Sequence, residues 1–192
     1  MPARTVLQHA DITRALTRIS HEILESNRGP GNLVILGIPT RGVVLAARIG
    51  AMLAEISGTT VPIGSLDVTM YRDDLGRNPT RMPSPTQVPP GGIDGRTVVL
   101  VDDVLYSGRT IRSALDALGA IGRPSVVRLA TLVDRGHREL PIRPDFVGKN
   151  LPSSTNERIN VRLHEIDGEE FVSIEEIEEI EEIEGGERCS TS

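Results

Sequence analysis

Tryptophan is absent from this chain, and two phenylalanines and two tyrosines make up its whole aromatic content. So few rings exclude an extensive base-stacking platform for single-stranded nucleic acid, because such surfaces stack successive bases on aromatic side chains. Cysteine occurs once, at Cys189 near the C-terminal end, which excludes an internal disulfide and a cysteine-based metal site. Long apolar runs are also missing. The longest, Leu33–Ile38 and Val98–Val101, fall far short of the roughly 18 residues that span a bilayer. The opening residues MPARTVLQHADITRAL hold no apolar signal core, so a cytoplasmic protein is the expectation.

Lysine is nearly absent too: Lys149 is the only one among 21 basic residues. Arginine presents a planar fork that matches phosphate geometry, so an anionic partner suits this composition. The net charge of −6 averages two unlike pieces. Twelve of the 27 acidic residues lie from Glu165 onward beside a single arginine, leaving 15 acidic against 20 basic residues before it. A mildly basic folded part therefore carries an acidic tail. At 192 residues and 38% hydrophobic content the chain suffices for one well-buried domain.

Periodicity gives the organisation. Asp11–Ser26 places Ile12, Leu16, Ile19, Ile23 and Leu24 on one helical face, with Asp11 as the expected cap. Leu33–Ile38 is a continuous apolar run, as expected of a parallel strand covered on both faces. The loop GIPTRG (Gly37–Gly42) and a helical pattern over Val43–Ser57 follow. Val61–Tyr71 alternates like a strand, and residues 72–95 form a long polar stretch rich in Pro and Gly. Strands are expected at Thr97–Val101, Ser125–Val133, Phe146–Val147 and Arg158–Leu163, with a helix from Ser107 to about Leu118. Strands alternating with helices indicate an α/β domain with a mainly parallel sheet over residues 1–168. Residues 169–192 read as an acidic, low-complexity, disordered tail. Its isoleucines at 174, 177, 180 and 183 recur every three residues, drift around a helix and make no stripe.

The stretch VVLVDDVLYSGRT (Val98–Thr110) carries the chemistry. A buried strand runs into Asp102 and Asp103, then into a turn of small and hydroxyl-bearing residues, then into a helix. Free amides and the helix dipole at such a turn favour an anion. Ser107 and Thr110 add hydroxyls, and Gly108 permits close backbone approach. Paired carboxylates beside that cradle repel each other unless they meet hydroxyls or a cation. A sugar phosphate with Mg²⁺ supplies both. A Walker B element fits less well, because it needs G-x-x-x-x-G-K-[ST], which is absent, and there is no GxGxxG dinucleotide fingerprint. A receiver-type phosphoacceptor or a simply capped helix after an edge strand leaves the hydroxyl-rich turn without a purpose.

VVLVDDVLYSGRT resembles the phosphoribosyl-pyrophosphate (PRPP) motif of type I phosphoribosyltransferases. GIPTRG, LDVTMYRDD (Leu66–Asp74), LVDRGHRELPIRPDFVGKN (Leu132–Asn150) and ALTRISHE (Ala15–Glu22) narrow the likeness to the PyrR family. That family comprises bifunctional pyrimidine-operon RNA-binding regulators and uracil phosphoribosyltransferases. The likeness runs from about Ala3 to Asp167 and leaves out the Ile-Glu-Glu tail. It implies the type I phosphoribosyltransferase fold, with residues 72–95 as a flexible hood. By resemblance, Asp102 and Asp103 hold the ribose hydroxyls, directly or through Mg²⁺. The turn Tyr106, Ser107, Gly108, Arg109 and Thr110 holds the 5′-phosphate, and Val104 and Leu105 belong to the same PRPP- and UMP-binding set. Thr40 and Arg41 meet the pyrophosphate, and Arg72 with Arg81 descends on it from the hood. Arg135 lies at the base pocket, and Ile159 offers backbone groups to the uracil edge.

The same likeness implies an RNA face of Thr17, His21, Arg138, Arg143 and Lys149, taking the stem-loop of a pyr mRNA leader. It further implies UMP or UTP as effectors, uracil and PRPP as substrates, and a homodimer or higher homo-oligomer. Three classes stay open at this point: a dedicated metabolic uracil transferase, an RNA-binding regulator that senses nucleotide in the same pocket, and a purine transferase. RGHRELPIR and GKN favour the PyrR type.

Overall fold

Hydrophobic alternation along one central strand organises the molecule. The computed structural model describes residues 3–72 and 85–177. Strand β4 (Thr97–Leu105) directs Val98 and Leu100 to one side and Val99 and Val101 to the other, and all four are buried. Around it lie β2 (Leu33–Gly37), β3 (Ile63–Ser65), β5 (Val126–Asp134) and β6 (Phe146–Asn150). They form a five-stranded, wholly parallel sheet in the order β3-β2-β4-β5-β6. Helices α1 (His9–Asn27) and α2 (Arg41–Ser57) cover one face through Ile12, Leu16, Ile19, Ile23, Leu45, Ile49 and Leu53. Helix α3 (Arg109–Ile121) covers the other through Ile111, Ala114, Ala117 and Leu118. This is the expected α/β arrangement with a mainly parallel sheet. A Cβ on Gly42, in the first turn of α2, would sit 2.4 Å from the Val101 carbonyl, so only glycine lets α2 start this close to β4.

A second sheet was not legible in the sequence. β1 (Arg4–Gln8), β7 (Glu157–Arg162) and β8 (Phe171–Glu176) pair antiparallel in the order β1-β8-β7. Their apolar residues Leu7, Ile159, Val161, Val172 and Ile174 join the buried cluster under α1 and α2. The expected tail boundary at residue 169 is therefore wrong. Phe171–Glu176 is a central strand of this sheet, and Ile174 is a core residue. The strand alternation of its short run was masked by the glutamates that follow it. Residues 178–192, the rest of the expected tail, lie outside the described residues.

Two further expectations need correction. Val61–Tyr71 is not one strand: only Ile63–Ser65 pairs, followed by a 3₁₀ turn at Thr69–Tyr71. Asp67 explains the break, because its carboxylate accepts from the Thr69 amide (3.0 Å) and hydroxyl (2.6 Å). The patternless stretch also ends early. Gln87 and Ser65 exchange two backbone bonds (2.9 and 3.0 Å), and Pro89 and Ile93 are buried. Residues 73–84, which include the expected hood arginine Arg81, lie outside the described residues. Helix α1 starts two residues earlier than expected. Asp11 serves at its third position, accepting from the Gln8 N–H at 3.0 Å, rather than as the cap itself.

The small sheet is fastened to α2 by ion pairs around the short helix α4 (His164–Asp167). Arg48 reaches both Glu165 oxygens (2.9 and 2.6 Å) and also bonds Glu170, which His9 contacts in turn. Arg41 reaches both Asp167 oxygens. Arg48 hydrogen bonding holds the Glu165 carboxyl below the usual carboxylate range, and Arg41 does the same for Asp167. Burial works against ionisation of Glu170, but its bonds from Arg48 and His9 prevail and its carboxyl is also held low.

Truncation after Gly168 should destabilise the fold by about 3–6 kcal/mol through loss of buried Val172 and Ile174 alone, whereas truncation after Ile177 keeps every described element. Denaturant unfolding of the two chains measures the difference. Carboxyls held low in the folded state stabilise it above their unfolded values, and that contribution is lost as pH falls through the folded ones. The thermal midpoint should therefore fall on acidification below about pH 4. Its gap from Glu165→Gln should narrow there, and a gap constant with pH would contradict the role given to the Arg48 network.

Candidate functional site

The C-terminal edge of the parallel sheet opens into two cavities, one on each side of β4. Adjacent strand residues point to opposite faces, so Asp102 lines the cavity on the α3 side and Asp103 the cavity on the α2 side. Val104 borders both. The residue order alone sets the two carboxylates side by side at a strand end. In the structure β4 continues through them to Leu105, and they act as two walls of a divided site.

The first cavity, about 240 Å³, is lined by Arg72, Asp102, Val104, Leu105, Tyr106, Ser107, Gly108, Arg109, Thr110 and Ser113. Gly108 caps α3 with φ of 92°, a conformation that suits glycine and turns the chain sharply into the helix. The first amide to bond back within α3 is that of Arg112, onto the Gly108 carbonyl at 3.0 Å. The preceding amides of the turn have no intrahelical acceptor by construction. The loop over residues 136–142 holds the turn from behind. Glu139 and Leu140 amides donate to the Ser107 carbonyl (3.0 and 3.1 Å), and Arg138 donates to the Tyr106 carbonyl (2.8 Å). With those carbonyls engaged behind it, the turn is suited to an anion in front. Arg109 adds its place in the turn, while its guanidinium pairs with Glu139 at 2.6 Å.

The second cavity, about 490 Å³, is strongly charged. Arg41, Arg158 and Arg162 line it with Asp103, Asp167 and Glu175, and Ile159, Asn160 and Val161 complete one wall. Thr40 caps α2 directly before Arg41. Strand β7 pairs only with β8 among the described residues, so its other backbone edge borders the cavity. Ile159 itself is 8% exposed, its side chain in the core, which leaves the backbone as what it can present. Arg158, Asn160, Arg162, Asp167 and Glu175 were not singled out from sequence. The charged alternation around Ile159 and Val161 was the available signal.

Arg135 is buried rather than poised over a base. Its guanidinium donates to the Ser153 hydroxyl (3.0 Å) and to the Ser154 and Glu157 carbonyls (3.0 and 2.9 Å). It also lies over the Tyr106 ring at 4.2 Å, with His137 edge-on to that ring. Arg135 thus braces the turn that begins at Tyr106 against the loop that leads into β7.

The expected RNA-face residues fall on adjoining elements. Thr17 and His21 are exposed four residues apart on α1. Lys149 is exposed on β6, to which α1 is tied by Arg18 donating to the Val147 and Gly148 carbonyls (2.8 and 2.6 Å). Arg143 is exposed just before β6. Arg138 differs from these, because it is engaged within the chain by Tyr106, Gly136, Ile142 and Asp134.

Among the described residues no three His, Cys, Asp or Glu side chains gather to hold a metal, and no helix is long and apolar enough to cross a membrane. A carboxylate lining each of the two cavities is a hard oxygen donor of the kind that would suit Mg²⁺ brought in on a phosphorylated ligand.

The phosphoribosyl transferase domain model matches residues 3–165. Among solved structures, a hypoxanthine phosphoribosyltransferase of Trypanosoma cruzi superposes with a TM-score of 0.68 at 16% identity, covering 90% of this chain and 96% of that one. One from Staphylococcus aureus gives 0.64 at 19% identity, covering 88% and 90%. These confirm the type I phosphoribosyltransferase fold. By sequence, the chain is 69% identical over 181 residues to the "Bifunctional protein PyrR" of Leifsonia xyli, covering 92% of this chain and 98% of that protein. It is 61% identical to the protein of the same name from Streptomyces coelicolor, covering 88% of each. Identity at this level over nearly the whole of both partners reflects common descent and not merely a common fold, and the chain belongs to the PyrR family of phosphoribosyltransferase-domain proteins.

Proposed function

We propose that this protein is a UMP- and UTP-responsive RNA-binding regulator of pyrimidine operon expression that also converts uracil and PRPP to UMP and pyrophosphate. The observation that carries the catalytic half is the divided site at the end of β4. A helix-capping turn suited to a 5′-phosphate lies on one side, an arginine-bearing cavity suited to pyrophosphate on the other, and Asp102 and Asp103 stand between them. A phosphorylated ribose bearing pyrophosphate has those three parts in that order. The hypoxanthine specificity of the solved neighbours reflects a shared fold, whereas PyrR kinship favours a pyrimidine.

In this reading the backbone of Tyr106–Thr110 with the hydroxyls of Ser107 and Thr110 binds the 5′-phosphate. Arg41, preceded by Thr40, meets the departing pyrophosphate; Arg72, expected beside it, lines the first cavity with the turn proposed for the 5′-phosphate. Arg81 remains assigned by resemblance alone. The β7 backbone at Ile159 reads the uracil edge, and Arg135 positions the turn and β7 without touching substrate. Mg²⁺ bound with PRPP supplies charge neutralisation at the pyrophosphate. The chain's own contribution is orientation, exclusion of water and electrostatic stabilisation of the leaving group. The chain supplies no nucleophile: uracil N1 forms the new bond to the anomeric carbon and gives up its proton as the bond to pyrophosphate breaks.

For RNA, Thr17, His21, Arg143 and Lys149 supply the contacts, with Arg138 shaping the loop that carries Arg143. Basic groups on phosphates make affinity fall with salt, and bases exposed in a stem-loop supply specificity. Nucleotide acts as corepressor through tighter binding to the RNA-competent state. The working form is a homodimer or higher homo-oligomer, in the cytoplasm where the proposed transcript and substrates are found.

Asp103→Asn should lower UMP synthesis from uracil and PRPP by about a hundredfold or more while leaving the thermal midpoint near wild type. Undiminished turnover at saturating Mg²⁺ would remove the carboxylate from the site. Arg143→Ala should weaken binding of a pyr leader stem-loop in a gel shift by roughly tenfold and leave UMP synthesis within about twofold. Parallel loss of both activities would show that the two surfaces are not separate.

A further inference from the structure

The guanidinium assigned to pyrophosphate already holds an anion of its own chain. Arg41 donates to both Asp167 oxygens at 3.2 and 2.8 Å, and the two side chains are 32% and 14% exposed. A fork closed on a carboxylate has the same donor geometry as a fork closed on a phosphate, so the two acceptors exclude each other at one arginine. Asp167 is not a loose surface carboxylate. It accepts from the Leu163 amide at 2.9 Å, which anchors it across α4, and it lines the same cavity as Arg41 and Asp103.

The element that carries Asp167 has a second attachment. Arg48 holds Glu165 and Glu170 on either side of Asp167. It stands seven residues after Arg41, two turns along nearly the same face of α2. Helix α4 therefore keeps its place when Arg41 changes partner. Arg162, on the same cavity wall, also acts electrostatically on Asp167, so the carboxylate retains a cationic neighbour. Exchange at Arg41 is local, and neither charge is stranded.

We propose that Asp167 is a built-in competitor for pyrophosphate at Arg41: it occupies the guanidinium in the empty enzyme, yields it to the incoming pyrophosphate group and reclaims it as product leaves. The inference rests on the assignment of Arg41 to pyrophosphate made above. Asp167 is thus a positioning residue that weakens ground-state binding of the polyanion and gives Arg41 a ready partner on release. Its effect falls on affinity for PRPP and pyrophosphate and not on uracil.

Calorimetric titration of the full-length protein with magnesium pyrophosphate tests this. Asp167→Asn keeps an acceptor oxygen for the Leu163 amide and removes the charge; Asp167→Ser does the same with a hydroxyl. Both should bind magnesium pyrophosphate about three- to tenfold more tightly than wild type. Arg41→Ala should bind it at least about tenfold more weakly, and adding Asp167→Asn to Arg41→Ala should change nothing further. Unchanged or weaker binding by both Asp167 variants, with Arg41→Ala still impaired, would overturn the competition. Full affinity in Arg41→Ala would instead overturn the assignment of Arg41 itself.

Discussion

Adjacent residues of a regular β-strand face opposite ways, and the placement of Asp102 and Asp103 depends on that constraint. Because β4 stays a paired strand through Asp102 and Asp103, its end carries one carboxylate into each of two cavities. The sheet separates the two like charges, the arrangement that the proposed grip on one phosphorylated sugar from both sides of the strand end requires. The apolar alternation just upstream buries Val98 through Val101 between α3 and the α1/α2 layer and sets that strand in the core on both faces.

Around this strand the remaining parts are held by directed polar contacts as well as by core packing. Arg135 ties the phosphate turn to the loop before β7, and Arg138 ties the same turn to its supporting loop. Arg41 and Arg48 hold α4 and the small sheet against α2. In a chain with a single lysine, this is where the arginines go: planar, multi-donor cations suited to bridging carbonyls and carboxylates at partly buried positions. The basic composition that suggested anion binding thus has two uses, and only some of the arginines remain exposed for a partner.

Kinship with PyrR proteins and the divided site describe one protein. The cavity between α2, β4 and β7, proposed above to take nucleotide, lies on the same domain as the α1 and β6 residues proposed for RNA, with α1 packed directly on β6 through Arg18. Occupancy of the pocket and the shape of the RNA face share the α1/α2 layer, which gives ligand and RNA a common body through which to influence each other.

The parallel core, its helices and the strand–turn–helix around Asp102 to Thr110 were legible in the residues, because continuous apolar runs, amphipathic spacing and a hydroxyl-rich turn are local patterns. What the residues could not disclose depended on distant partners. Arg4–Gln8 and Phe171–Glu176 are short and mixed in polarity, and become strands only because each finds the other. The same holds for Arg135 and Arg138, whose guanidiniums look available in sequence and are engaged by carbonyls brought in by folding. Arg41 meets Asp167 across 126 residues, a pairing no local pattern contains. The sequence by itself determined the family, the turn between β4 and α3 and the acidic pair. The tertiary structure decided which side of the strand each carboxylate serves and which cations are already taken, since those are set by long-range contacts.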